Sequence, residues 1–245
     1  MRGQIPCTLL GALDYHGECQ HRSRTGGDFF DFIPLTGGRL FAAIGDFSAY
    51  GASASVIASG LRSFMGKMVR DECRTDLDSV TQDLNSTIWG LSDGYATLFC
   101  AQFDPHERRF TYVSAGHEPA LLIRNNGRIR RLESAGTVLG LTRRGTWRQR
   151  QISLDPGDVL VAFTDGISDS VDGDGGELRD SGLLEVMRFH REAPASDLVR
   201  WILDAVDHFD RSRRADDRTV MAIRYVGAMT ADLGERSMEM ALSAA

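Results

Sequence analysis

The apolar positions of this chain change period several times, and the changes divide it into elements. Residues 1–11 show no sustained period and read as a short lead. Residues 13–22 alternate imperfectly and predict a polar strand near an edge or a site. Two apolar runs follow, 29–34 and 39–45, separated by Thr36-Gly37-Gly38. Short apolar runs joined by a glycine turn predict a β-hairpin. Over 52–69 the spacing becomes helical, with Val56, Ile57, Leu61, Phe64, Met65 and Met68 recurring every three or four residues. A second helix is predicted over 77–91, with Thr75 or Asp76 as N-cap and Leu77, Val80, Leu84 and Ile88 along one face.

Strand patterning then returns over 96–103, 110–114, 120–124 and 128–132, with turns at 104–108, 115–119 and Asn125-Asn126-Gly127. Consecutive strands and short turns predict an antiparallel meander. Residues 147–154 are a further strand, and 159–163 are continuously apolar, as in a strand buried on both faces. Helices are predicted over 183–189 and 197–209, the second capped by Ser196, and a last strand over 218–225. With no internal repeat and no linker, residues 4–228 read as one domain. Residues 229–245 read as a weakly structured tail.

Composition narrows the function classes. The 245 residues are 42% hydrophobic, enough for one substantial core. The net charge of −6 opposes a nucleic-acid partner, because a phosphate backbone selects a basic surface. Cys7, Cys19, Cys73 and Cys100 are scattered without a CxxC, which opposes a thiolate zinc site. No signal segment opens the chain and no apolar run reaches 18 residues, so the expectation is a soluble cytoplasmic protein without membrane contact.

Candidate chemistry collects where apolar runs end. Asp28 precedes the first strand of the hairpin and Asp46 follows the second, so the two carboxylates should lie side by side. Asp165 ends the buried run at 159–163, and Asp216 opens the last strand. Any one Asp-Gly pair after a strand is also an ordinary turn. Four such aspartates at strand ends are hard oxygen donors of the kind that hold Mg²⁺ or Mn²⁺. Two such ions roughly 3.5–4 Å apart are a common device for hydrolysing phosphate esters.

The stretches GGDFFDF at 26–32, IGDFSAYG at 44–51, the run at 96–124, LDPGDVLVAFTDGISDS at 154–170 and DDRTVMAIR at 216–224 occur together and in order. The set resembles the metal-dependent serine/threonine phosphatases of the type 2C (PPM) superfamily, and within it the bacterial SpoIIE-type branch. The resemblance implies an α+β fold, a four-layer α/β/β/α sandwich of two antiparallel sheets flanked by helices. It implies that Asp46 bridges two metals, that the Phe47 backbone carbonyl binds the second, that Asp165 and Asp216 bind the first, and that Asp28 holds metal-bound water. It makes Arg24, and after it Arg22, the candidate phosphate contact. Two Mn²⁺ or Mg²⁺ ions would activate a bridging water that attacks phosphorus directly. The implied substrate is phosphoserine or phosphothreonine on a protein, such as a STAS-domain anti-sigma-factor antagonist in bacterial partner switching.

Two departures qualify the match. Ala49 and Tyr50 stand where the branch usually has its inner glycine and a variable residue. Ser48 stands where eukaryotic relatives carry a histidine that is a candidate proton donor, and no leaving-group acid is evident. The altered loop motivates an alternative reading, a catalytically weak phosphoprotein-binding regulator of the same fold. At 245 residues, the N-terminal sensor domain common in this branch is not expected here. Control is therefore expected from a regulatory partner or a homodimer through the helices at 52–91. His117, in a turn, reads as structural, and Asp31 as structural or close to the site. The acidic residues Asp169, Asp172, Asp174 and Glu177 read as a solvated loop beside it.

Overall fold

Eleven described strands form two antiparallel sheets, and their period of two sorts each into an inner and an outer face. The computed structural model describes residues 2–21, 26–49, 54–70, 76–91, 94–170, 182–209 and 216–227. Arg22, Arg24, Tyr50, Asp172, Asp174, Glu177 and the tail at 229–245 lie outside the described residues. The strands are β1 Arg2–Leu10, β2 Leu13–Gln20, β3 Asp28–Pro34, β4 Leu40–Ala49, β5 Gly94–Asp104, β6 Arg109–Ala115, β7 Ala120–Ile123, β8 Ile129–Leu132, β9 Arg150–Ser153, β10 Val159–Phe163 and β11 Arg218–Tyr225. The helices are α1 Ala54–Arg70, α2 Leu77–Gly90, α3 Asp165–Ser168, α4 Gly182–Phe189 and α5 Ala195–Phe209. One sheet runs β1-β2-β11-β10-β7-β8 and the other β3-β4-β5-β6-β9.

Alternate residues explain the layers. Leu40, Ala42 and Ile44 of β4 face the other sheet, where they meet Leu13, Tyr15, Leu160, Met221 and Ile223. Phe41, Ala43 and Phe47, one position out of phase, pack outward against Leu61, Met65, Leu84 and Ile88 of α1 and α2. The six-stranded sheet does the same on its outer side, where Val159, Val161, Val220 and Ala222 meet Leu198, Ile202 and Val206 of α5. The result is the α/β/β/α sandwich, with one core between the sheets and one under each helical layer. Each buried aliphatic or aromatic side chain contributes roughly 1.5–3 kcal/mol to holding the layers together.

Four expectations change. The lead is β1, an edge strand paired with β2 from Arg2↔Gln20 to Leu10↔Leu13, with an irregularity between Ile5 and Thr8. That break disrupts the alternation a period would need. The meander is split, because β5 and β6 join one sheet while β7 and β8 join the other. The chain crosses between sheets at Gly116, whose φ of 63° suits glycine. The second hairpin strand runs on through Asp46 to Ala49 instead of ending at Gly45. Finally, α5 starts at Ala195, so Ser196 lies inside it, and the Ala195 N–H donates to Asp14 Oδ2 of β2 at 2.9 Å. Asp76 does cap α2, accepting from the N–H groups of Asp78 and Ser79.

Candidate metal centre

The hairpin is what brings the first two carboxylates together. In the β3–β4 ladder Asp28 is paired directly with Asp46, six steps in register from Pro34↔Leu40 at the turn. Both occupy even positions. They therefore continue the inward rows Phe30–Phe32 and Leu40–Ala42–Ile44 and end up at one mouth of the inter-sheet core. Asp31 is out of phase, points toward α1, and lies 3.7 Å from Arg62 Nη2.

The opposite sheet supplies the other wall. Asp28 Oδ2 accepts from Thr164 Oγ1 at 2.8 Å and from Thr219 Oγ1 at 2.6 Å. Thr164 also ties its strand to β11, its N–H donating to the Thr219 carbonyl and its hydroxyl accepting from the Thr219 N–H. Asp165 follows Thr164 at the head of α3, and Asp216 sits exposed just before β11. The four aspartates therefore come from both sheets and face one end of the sandwich. Of the last pair, Asp217 is the buried member, accepting from His21 Nδ1 at 2.9 Å.

Burial and mutual repulsion give the site its electrostatic character. Asp28 is pushed up to about 8, mainly by burial, with Asp46 adding to the rise and the two threonine hydroxyls opposing it. Asp46 is raised to about 6 by burial and then by the charges of Asp165 and Asp216. Asp165 is raised by burial and by Asp216 and Asp169. Asp28, Asp46 and Asp165, which burial and then neighbouring charges hold back from ionising, are a set that a cation stabilises. Among the described residues no three His, Cys, Asp or Glu side chains already stand at ligand distances around one point.

A backbone cradle completes the donor set. A side chain on Gly27 would come within 1.9 Å of the Phe47 carbonyl oxygen and 2.6 Å of Asp46 Oδ1. Only glycine lets the chain pass there, and its passage leaves a carbonyl and a carboxylate oxygen open to the same small space. The Phe47 N–H donates to the Gly27 carbonyl at 3.0 Å, fixing the approach. All of these are hard oxygen donors, so the residues fit a divalent Mg²⁺- or Mn²⁺-like ion.

Residues with no sequence signal of their own shore up the site. The Asp46 N–H donates to Thr97 Oγ1 at 3.2 Å, and that hydroxyl lies 3.0 Å from His117 Nδ1. His117 is buried and held down at about 4 by desolvation, so it is neutral and supports Asp46 from behind. Thr164, Thr219 and Asp217 sit beside motif aspartates, in TDG and DDRT, which was the available hint. His21 had none.

Sheets, helices and an acidic mouth define the protein phosphatase 2C class. The family model described as "Stage II sporulation protein E (SpoIIE)" matches residues 36–226, and the chain belongs to that family. Among curated relatives, "Protein IcfG" of Synechocystis is 27% identical over 226 residues, covering 80% of this chain and 35% of that one. "Phosphoserine phosphatase RsbU" of Bacillus subtilis is 26% identical over 227 residues, covering 89% of this chain and 67% of its own. The chain thus spans about a third of the one relative and two thirds of the other.

Solved structures agree on the fold. The RsbU and RsbW domains of Rv1364c from Mycobacterium tuberculosis align with a TM-score of 0.78 at 21% identity, over 93% of this chain and 65% of that one. The phosphatase domain of SpoIIE from B. subtilis gives 0.75 at 18%, over 86% and 61%. PstP, solved with two manganese ions, gives 0.66 at 17%, over 86% and 97%. RsbX, solved with magnesium, gives 0.64 at 17%, over 91% and 99%.

Proposed function

We propose that residues 4–228 form a metal-dependent phosphatase domain that hydrolyses phosphoserine or phosphothreonine on a protein. The observation that carries this reading is the in-register Asp28–Asp46 pair, set at the mouth where Asp165 and Asp216 raise the Asp46 pKa. Asp46, the Phe47 carbonyl, Asp165 and Asp216 would hold the metal. Bound divalent ions supply a water that is nucleophilic at neutral pH and take up charge on the phosphoryl oxygens. Asp28 has its Oδ2 engaged by two hydroxyls, which leaves Oδ1 to orient a water beside Asp46. Attack of that water on phosphorus would be direct, without a phosphoenzyme.

The relatives support the substrate class. One is named a phosphoserine phosphatase, which supports a phosphoprotein substrate, and a STAS-domain anti-sigma-factor antagonist in partner switching suits the family. The helices at 52–91 are the proposed regulatory or homodimer surface. Val56, Phe64, Trp89 and Leu91 are exposed large apolar residues there. No helix of the described residues is long and apolar enough to cross a membrane. The weak-enzyme alternative gains no support, since all four aspartates are present.

The test is hydrolysis of p-nitrophenyl phosphate and of a phosphoserine peptide, with Mn²⁺, with Mg²⁺ and with EDTA. Turnover should require the metal, and Asp46→Asn should lower kcat by roughly 10²-fold or more, the scale of losing one electrostatic transition-state group. Metal-independent turnover, or an Asp46→Asn variant as active as the native chain, excludes this site.

A further inference from the structure

The mouth of the sandwich holds a second constellation that the metal ligands do not explain. His21 follows β2, whose odd positions Leu13, Tyr15 and Cys19 face the inter-sheet core, so its ring lies at the same end as Asp28 and Asp46. Its Nδ1 lies 2.9 Å from Asp217 Oδ2. The carboxylate side chain is 6% exposed while the imidazole is 35% exposed. A carboxylate accepts, so Nδ1 carries the donated proton and Nε2 is the nitrogen left for an incoming molecule. Among the described residues the other ring contact is Cys19 Sγ, 3.5 Å from each nitrogen, and a thiol is a weak partner.

The pair is close to Asp46 through two consecutive glycines. A side chain on Gly26 would overlap Asp217 Oδ2, and one on Gly27 would meet Asp46 Oδ1 and the Phe47 carbonyl oxygen. Neighbouring Cα atoms are about 3.8 Å apart, so the His–Asp pair and the proposed metal-bridging residue flank a single two-residue strap. The titratable groups around the imidazole, among the described residues, are Asp217, Cys19 and, one threonine hydroxyl beyond Cys19, Asp28.

Among the described residues the site otherwise lacks a proton donor open to substrate, since Asp28 is buried with its Oδ2 engaged by two hydroxyls. A serine alkoxide is a poor leaving group and departs with a proton supplied to it. Ser48 directs its hydroxyl at Asp46 Oδ2, at 3.4 Å, and a serine hydroxyl is too weak an acid for the task. His117 is sealed behind Asp46. We propose that His21, held by Asp217, is the general acid that protonates the leaving serine or threonine oxygen. This rests on the phosphatase reading above. As the water oxygen bonds to phosphorus, the bond from phosphorus to the side-chain oxygen breaks and its electron pair goes to that oxygen. The Nε2 proton moves onto it, freeing a neutral hydroxyl side chain. One water proton stays on the phosphate product and the other, through solvent, restores His21, which is open to it. Asp217 is a positioning residue, acting through the imidazole.

The experiment compares leaving groups. Native chain, His21→Ala, His21→Gln and Asp217→Asn are assayed with Mn²⁺ on a phosphoserine peptide and on p-nitrophenyl phosphate, whose phenolate leaves without needing a proton. The loss of kcat on the peptide should exceed the loss on p-nitrophenyl phosphate by about 10²-fold for both His21 variants, the scale of general acid catalysis. For Asp217→Asn the same bias should be present and smaller. Added imidazole should restore part of the peptide activity of His21→Ala. Equal losses on both substrates, or an unchanged peptide rate, overturn the inference while leaving the phosphatase reading standing. A native chain inactive on both substrates removes both. Thermal melts of each variant accompany the assay, and His21→Gln, which can still donate to Asp217, replaces His21→Ala if the latter does not fold.

Discussion

At the scale of single residues, the carboxylates of the mouth are costly to the fold until something binds them. Asp28 has a folded pKa of about 8, against about 3.9 for an unfolded chain. Between those values the folded protein holds a proton the unfolded one has lost, so the stability linked to this group is full below pH 4 and is lost as pH rises through 8. Asp46, raised to about 6, contributes with the same sign. His117, lowered to about 4, has the opposite sign, and its contribution levels off only above the 6.5 of an unfolded imidazole. In thermal melts in EDTA between pH 6.5 and 8.5, the difference between the native chain and Asp28→Asn therefore reports Asp28, since His117 and the buried cysteines Cys19 and Cys100 are common to both. The native chain should lose Tm across that range, and Asp28→Asn should lose distinctly less. Parallel curves would mean that Asp28 is not the group responsible. The four aspartates were legible because each stands at an end of an apolar run, three of them beside a glycine (Gly27, Gly45 and Gly166). Thr164 and Thr219 were not, because their contacts with Asp28 cross between the sheets, and His21 was not, because its partner Asp217 lies 196 residues away in sequence.

At the scale of elements, capping and turn networks do as much as patterning. Asp158, in the turn before β10, is 1% exposed and accepts from Arg124 Nη1 at 2.7 Å, the Asn125 N–H at 3.0 Å and the Asp155 N–H at 2.8 Å. It locks the β7–β8 hairpin onto β10. Asp158→Ala leaves a half-buried guanidinium and two N–H groups without their acceptor and should cost about 3–5 kcal/mol. Asp158→Asn should recover part of that, and urea titrations of the two variants distinguish the cases. Central strands such as β5 and β10 were plain in the sequence, since an apolar run of five to eight residues has few other uses. Sheet membership was not. The β6–β7 turn looks like any hairpin turn, and only the packing of both faces shows that the chain changes layer there. The β1 strand was hidden by its break near Ile5, and the α5 cap by its origin in Asp14, 181 residues away.

At the scale of the molecule, the candidate ligands come from both sheets, Asp46 from one and Asp165 and Asp216 from the loops of the other. A divalent ion would therefore act as a clasp across the open end of the sandwich. Free metal at about 100 times its Kd should stabilise the native chain by about 2.7 kcal/mol. The Tm gain on replacing EDTA with Mn²⁺ should vanish in Asp46→Asn, and a gain of equal size in that variant would place the ion elsewhere. The hairpin carries a practical consequence of its own. From the Asp28–Asp46 pair to the turn at Thr36–Gly38 the ladder runs six residues, roughly 20 Å. Within those strands a single inserted or deleted residue would swing every inward side chain outward, whereas the junction of exposed Gly37 with half-buried Gly38 lies beyond the last rung. A reporter peptide spliced between those two glycines gives the protein a label whose attachment leaves the distant carboxylate pair in register.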